Sequence, residues 1–324
     1  MDFLIDDYLL KYTDELTFIN IKEGAQLQLE NFDLPIGGID VPIITKELAD
    51  NIQTRNENEI ITVGSIVRGI IYLLGIDSKF KYRKKYKELL YAANPDIEKY
   101  IFQSAIKSIQ EDDFLNSLIY FKALLLLKPN DIQALLNYAI ILIQYRDNKL
   151  KNRTKTSTMF INEARDKLEI LLNIDDEQAL GHYFLGFLHE ESKSYNLAKF
   201  HWEKAITLDL DVDLKNSIAE NLNQMDDMVQ YENGYEAILS GKPHEGLTIL
   251  MELEKKYENW WNLLFFIGLA HRQLGIFHEA VKYFNRVLDI SKNQIDTLVE
   301  LGLSYAGLGE IQKAIKTFHM AIEI

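Results

Sequence analysis

Apolar residues recur at helical spacing along most of the chain, but their phase becomes regular only in its second half. Stretches such as ALLNYAIILIQY, GHYFLGFLHEE and LLFFIGLAHRQLG place apolar side chains three and four apart, the spacing that gives a helix one buried face. Short polar breaks separate them. Four glycines fall in phase: Gly186, Gly234, Gly268 and Gly302, the last three standing 34 residues apart and the first 48 before the second. A second series, Gly241, Gly275 and Gly309, also steps by 34. Small residues repeat at Ala164 and Ala198, and again at Gly246, Ala280 and Ala314. Bulky side chains share one further slot: Phe121, Leu168, Trp202, Leu250, Phe284 and Phe318.

A glycine inside a helix costs about 1 kcal/mol relative to alanine. Its recurrence at one phase implies a backbone approach too close for a larger side chain. The second glycine series lies between the two helical stretches of each unit, where a residue in the left-handed region ends a helix. Each unit therefore reads as helix–turn–helix, with small residues at the crossing and large ones filling the gap beside them.

The segments GHYFLGFLHEESKSYNLAKFHWEKAITLDLD, FFIGLAHRQLGIFHEAVKYFNRVLDI and ELGLSYAGLGEIQKAIKTFHMAIEI carry a spaced pattern of Leu-Gly, aromatic, Ala, aromatic and Ala-Leu or near equivalents. This pattern resembles the tetratricopeptide repeat (TPR). The resemblance implies an all-α fold, a right-handed α-solenoid of helix-turn-helix repeats following a mostly helical N-terminal segment. It covers residues 96–324, about 70% of the chain, with units at 98–131, 132–178, 179–212, 227–260, 261–294 and 295–324. The first unit ends in the proline the family expects, Pro129. There are departures. The second unit carries about 13 extra residues near RDNKLKNRTKTSTMF, so its turn is expected to become an excursion. Between the third and fourth units, DLKNSIAENLNQMD is either an added helix or an extension of the next one. The first two units hold Ala105 and Ala139 where the later ones hold the in-phase glycine.

Residues 1–95 show no such period. MDFLIDDYLLKYTDEL reads as an amphipathic helix, and NFDLPIGGIDVPI as extended chain and turns. TKELADNIQTR is expected to be a helix capped by Thr45, and TVGSIVRGIIYLLG one capped by Thr62 and ended by Gly75. The order of extended segment, helix and helix resembles a ribbon-helix-helix DNA-binding module. Against that, GGIDVPI has no basic or amide side chains to read bases, and its surroundings are acidic. A cap over the apolar end of the array is the better reading, because solenoids need polar terminal caps.

Composition narrows the function classes. The chain has 324 residues, a net charge of −14 and no cysteine, so disulfides, thiolate metal sites and cysteine nucleophiles are excluded. Nucleic-acid backbones repel such a molecule unless a basic face is segregated. The one basic run, KFKYRKKYKELL, reads as a solvated helix face. No run is long and apolar enough for a membrane span, and the acidic start lacks the pattern of an export signal. A cytoplasmic location is expected, with neither nucleic acid nor membrane as partner. There is no phosphate-binding glycine loop or dinucleotide fingerprint. His182 and His189 stand two helical turns apart, but they and His271 occupy slots where the resembled repeat buries large rings, so packing is the better reading than a metal site. No cofactor and no enzymatic activity are expected.

The resemblance also implies where a partner would sit. In the family, the first helix of each unit lines the inner, concave face. The residues carried onto that face here are Asn137 in the second unit; Leu180, Tyr183, Phe184, Phe187, Glu190 and Glu191 in the third; Tyr231, Glu232, Tyr235 and Ile238 in the fourth; and Asn262, Phe265, Phe266, Leu269 and Arg272 in the fifth. Two readings stand. The rings are anchors for an apolar peptide or helix, or they are covered by a segment of the same chain. The family's carboxylate clamp is excluded, because only Asn137 matches it, while Phe102, Ile106, Leu180 and Phe184 fill its other places. The last hairpin, 295–324, is apolar enough to invite self-association. The expected function is that of a non-catalytic protein–protein interaction scaffold or adaptor. Its rival is a peptide-sensing transcriptional regulator with a divergent N-terminal DNA-binding head.

Overall fold

A computed structural model describes residues 2–23, 29, 32, 34–54, 61–150 and 155–324. The fold is all-α in class, with sixteen α-helices and one two-stranded antiparallel ribbon among the described residues. Consecutive helices pair as antiparallel hairpins, the building plan of an α-solenoid. The chain divides into two bodies, Met1–Leu188 and His189–Ile324.

The N-terminal body begins with one helical turn, α1 (Asp6–Leu9), and a 3-10 helix, Leu10–Glu15. The single amphipathic helix expected over the first sixteen residues does not form. Phe3, Ile5 and Leu9 are instead drawn into a core far along the chain, and that contact sets their geometry more strongly than helical periodicity does. Strand β1 (Leu16–Ile21) then pairs with β2 (Ile39–Ile44), in register from Leu16 opposite Ile44 to Ile21 opposite Ile39. Ile39, Val41 and Ile43 are buried, and the ribbon packs against a helix of its own body.

Helix α2 (Thr45–Thr54) starts on Thr45, whose hydroxyl pairs with that of Thr17 at 2.9 Å. Helix α3 (Val63–Ile76) starts where expected: Thr62 accepts from the Ser65 amide, and Ser65 closes the capping box. It does not end at Gly75. That glycine lies inside the helix because a Cβ there would stand 2.3 Å from the carbonyl oxygen of Ile119. The basic run becomes helix α4 (Arg83–Ala93), with Tyr86, Leu89 and Leu90 buried and most of the lysines outward.

The first two hairpins follow: α5 (Ile97–Gln110) with α6 (Phe114–Leu127), then α7 (Ile132–Lys149) with α8 (Lys155–Ile174). Asp113 and Asp131 cap α6 and α7 by accepting from the Asn116 and Ala134 amides. The extra residues of the second unit lengthen α7 and α8, to 18 and 20 residues, on either side of the turn expected to become an excursion. Its residues 151–154 lie outside the described residues. The added turns carry Tyr145 and Phe160, whose stacked rings enclose Tyr8. Beyond Pro129 and these hairpins, α9 (Ala179–Glu191) contains the division between the bodies.

In the C-terminal body, α10 (Tyr195–Thr207) packs on α11 (Val212–Leu239). The residues between the third and fourth units therefore extend the next helix, giving one of 28 residues. Helix α11 pairs with α12 (Pro243–Glu254), α13 (Trp261–Gln273) with α14 (Phe277–Ile290), and α15 (Ile295–Gly307) with α16 (Ile311–Ile322). The slots work as the spacing predicts. A Cβ on Gly234, Gly268 or Gly302 would come within 2.3–2.8 Å of Leu250, Phe284 or Phe318, the bulky residue of the same hairpin. The turn glycines Gly241, Gly275 and Gly309 have φ of +78°, +74° and +77°.

Candidate functional site

The aromatic residues expected on the first helices fall into two groups, one in each body. On α9 in the N-terminal body, Tyr183 meets Phe184 at 5.1 Å and Phe187 at 4.9 Å between ring centroids, edge to face, and all three are half-buried. Helical spacing brings them together: positions four apart share a face, and 183–184 straddle it. Asn137 stands on α7, and its amide donates to the Gln133 carbonyl one turn back at 2.8 Å. That bond occupies part of its hydrogen-bonding capacity, and Asn137 joins no aromatic cluster.

The C-terminal body holds the larger group. Tyr231 and Tyr235 of α11 lie one turn apart, 5.2 Å between centroids. Tyr235 stacks on Phe266 of α13 at 5.1 Å, and Phe266 meets Phe265 at 5.4 Å. Phe265 reaches the core ring Phe284 at 5.9 Å. Tyr231 is buried, and burial pushes its phenol well above the ordinary range. Tyr235, Phe265 and Phe266 remain half-exposed.

Sequence reasoning missed Trp260, which lies 4.5 Å from Tyr231 and is the reason that ring is covered. Tyr257 in turn stands edge-on to Trp260 at 5.5 Å. The Trp260–Trp261 pair in the sequence was the available signal, but Trp260 falls just ahead of α13, outside the repeated first-helix slots.

Four expected residues are engaged elsewhere. Leu269 is buried in the core of the C-terminal body. Arg272 forms an ion pair with Glu300 of α15, which ties one hairpin to the next and leaves the guanidinium less able to meet a ligand. Ile238 is also core, and Glu232 is buried with its carboxylate accepting from the Asn196 amide at 2.7 Å. Burial raises the pKa of Glu232.

A hollow of about 660 Å³ opens beside this cluster, bordered by Glu190, Tyr195, Asn221, Met225, Asp227 and Tyr257. Its wall offers little free charge. Asp227 accepts from Lys256 and from the Tyr257 hydroxyl, each at 2.8 Å, and Asp226 pairs with Lys199 at 2.6 Å. Nothing here brings an acid and a base together on an open reacting position. The cluster offers apolar ring edges and faces with phenol hydroxyls beside them, which suits contact with an apolar segment.

His182, His189 and His271 pack. His182 is buried, its Nε2 3.0 Å from the Asp176 carbonyl oxygen. His189 stacks on His201 at 5.3 Å, and His271 on Tyr283 at 5.5 Å. Burial lowers the pKa of His271 and so favours its neutral ring. Among the described residues, no three His, Asp or Glu side chains converge as a metal site requires. Among them, too, no helix is long and apolar enough to cross a membrane.

Family models described as tetratricopeptide repeat match residues 262–294 and 296–324, the hairpins α13–α14 and α15–α16. Tetratricopeptide repeat protein 14 of Mus musculus is 35% identical over 72 residues, which are 22% of this chain and 9% of the mouse protein. The chain thus spans only a small part of that relative. Among solved structures, the TPR domain of P58(IPK) matches with a TM-score of 0.45 and 14% identity, over 81% of this chain and 69% of that one. MamA matches with a TM-score of 0.29 and 17% identity, over 70% and 90% of the two chains. YrrB, described as a TPR protein with an unusual peptide-binding site, matches with a TM-score of 0.33 and 19% identity, over 63% and 91%. The two hairpins matched by the family models are the ones in which glycine, aromatic and turn slots all recur in phase, and residues 262–294 and 296–324 of this chain are tetratricopeptide repeats.

Proposed function

We propose that this chain is a protein–protein interaction scaffold that takes an apolar peptide or amphipathic helix against the half-exposed rings Tyr235, Phe265 and Phe266. The observation that carries the reading is the partial cover of those rings: Tyr231 and Leu269 beneath them are already core, while the upper layer keeps open edges. Rings of this kind contribute large contact area at small cost in side-chain entropy. Tyr183, Phe184 and Phe187 form a second, smaller face of the same chemistry. Asn137 and Arg272 are lesser contributors, since each already has a partner.

The test is a displayed library of amphipathic peptides selected on the intact chain. Phe266→Glu should abolish capture of the selected peptides while the circular dichroism spectrum stays that of the native protein. Loss of helicity in that variant would make the rings core and end the proposal.

A second reading concerns the last hairpin, where Val299, Leu303, Ile315 and Ile322 are exposed, Ile322 to 79%. The same slots one repeat earlier, Phe265, Leu269, Val281 and Leu288, lie in or against the core of that body. We propose self-association through 295–324. Sedimentation should show a concentration-dependent dimer that Leu303→Glu removes, and a monomer at all concentrations would refute it.

A further inference from the structure

The first residues of the chain are held like a bound peptide. Residues 2–9 contain a single helical turn, Asp6–Leu9, and the contacts that fix them come from α6, α7, α8 and the residues just after α3. Backbone groups of the segment are read directly: the Ile5 amide donates to Glu163 Oε2 at 2.9 Å, and the Asp2 carbonyl accepts from Lys167 Nζ at 2.8 Å. Its one ionic anchor, Asp6, pairs with Lys122 and accepts from Ser78 at 2.5 Å. Phe3, Ile5 and Leu9 insert as apolar anchors, and Tyr8 meets Tyr145 hydroxyl to hydroxyl at 2.9 Å and Phe160 edge to face.

Lys122, Glu163 and Lys167 are all but fully buried. A core rarely retains three charged side chains, because the cost of removing them from water seldom returns as attraction. Here each finds a partner in the segment: Asp6, the Ile5 amide and the Asp2 carbonyl. Were the segment to leave, those groups would regain water, which offsets part of the loss of contact, whereas an apolar slot would have nothing to regain. The segment is moreover separated by 72 to 165 residues from the side chains that hold it, so it can release without unwinding them.

We propose that the face formed by α6, α7 and α8 is a peptide-recognition site, and that residues 2–9 are its built-in, displaceable ligand. The ligand class follows from the resident: an aromatic residue, an aliphatic one two positions on, then an aspartate, in a segment with one helical turn. This site is separate from the aromatic cluster of the proposed function and stands or falls without it.

The test uses the intact chain and a fluorescent peptide of residues 2–12. Ile5→Asp places an unpartnered carboxylate in the slot beside Glu163 and should empty it of its own segment. The peptide should then bind that variant at least about tenfold more tightly than the wild-type chain, where the resident competes. Adding Lys122→Met to Ile5→Asp should lose that gain, because the peptide's aspartate has no cation to meet.

Equal binding to wild type and variant, or binding to neither, overturns the proposal. If Ile5→Asp does not fold, hydrogen exchange on the wild-type chain decides. The amides of Ile5 and Leu9 should exchange through local opening, at least about tenfold faster than those of Leu124 and Leu142 and without response to low urea. Exchange at the same rate as those helix interiors makes the segment core and overturns it.

Discussion

The two bodies are built from the same hairpin and stabilised in different ways. In the N-terminal body the decisive contacts join residues more than a hundred apart and include buried charges: Lys122 with Asp6, Glu163 with the Ile5 amide, Lys167 with the Asp2 carbonyl. In the C-terminal body the polar contacts between hairpins sit at or near the surface and join residues about one repeat apart: Arg286 with Glu254, Lys199 with Asp226, Arg272 with Glu300. Each C-terminal hairpin needs only its neighbours, as in a one-dimensional stack. The N-terminal body closes over itself, so a change at one point is felt by segments distant in sequence.

The largest effect that would test this contrast is at the shared bulky slot. Trp202 is fully buried, and Trp202→Ala should cost about 3–5 kcal/mol through lost burial and the cavity left behind. Phe318 fills the same slot in the last hairpin but is only half-buried. Phe318→Ala should cost less than half as much. Urea unfolding of both variants checks the pair, and equal losses would mean that the slot is not graded by the neighbour that covers it.

Next in size are the close approaches. A Cβ on Gly69 of α3 would stand 2.0 Å from the carbonyl oxygen of Pro42 on the ribbon, whereas one on Gly268 would meet the ring edge of Phe284 at 2.8 Å. Backbone in a paired strand cannot yield, but a ring can turn. Gly69→Ala should therefore destabilise toward the upper end of about 1–3 kcal/mol, and Gly268→Ala toward the lower end. Thermal unfolding that ranks them the other way would show the ribbon to be the softer partner.

These glycines also show what was legible in the sequence. Gly234, Gly268 and Gly302 announced themselves because a repeat uses one packing solution several times, and each use leaves a residue at the same phase. Gly69 and Gly75 face equally close contacts but occur once each, against a strand and against α6, so no period marks them. The first sixteen residues carried an amphipathic pattern whose partner, the lengthened α7–α8 hairpin, lay about 140 residues away. The pattern was visible and the partner was not. The extra residues of that hairpin read as a loop for the same reason: nothing local shows that Tyr145 and Phe160 have Tyr8 to enclose. In the candidate site, the ring positions on α11 and α13 followed from repeat phase, but Trp260 contacts them from outside the repeated first-helix slots, and phase alone could not reveal how much of the surface it covers.

A pH dependence should separate the bodies further. Burial raises the carboxyl pKa of Glu163, against the lowering effects of Tyr138, Lys167, the Ile5 amide and Lys122. These are the groups facing it from α7, α8, the N-terminal segment and α6. A raised native pKa means that the folded chain holds this proton to higher pH than the unfolded chain does. The contribution from this proton is therefore present at low pH and is lost as pH rises from the ordinary carboxylate value through the raised one. Glu163→Gln cannot titrate, so the difference in melting temperature between wild type and variant should change across that window and flatten above it. A difference that stays constant with pH would show that Glu163 has the same pKa folded and unfolded.

The smallest effect tests whether the repeat rule extends beneath the irregular N-terminal body. The turn slot filled by Gly241, Gly275 and Gly309 is filled by Asp112 in the first hairpin and by Lys193 in the third, both with positive φ, 56° and 63°. A side chain in the left-handed region is strained by its own Cβ, least for Asn and Asp, whose short polar groups bond locally. Lys193→Gly should therefore stabilise by about 0.5–1 kcal/mol, the relief of strain exceeding the entropy that glycine adds to the unfolded chain, and Asp112→Gly by less. The converse change, Gly275→Ala, should cost about 1 kcal/mol. Urea midpoints measured on the three variants decide it. If Asp112→Gly moves with the sign and rank expected, the first hairpin obeys the same turn geometry as the last, although one body is closed by its own N-terminus and the other is a plain stack. If it destabilises, the Asp112 side chain is holding the turn by a local bond that the glycine slots do without, and the two bodies differ even in the element they share.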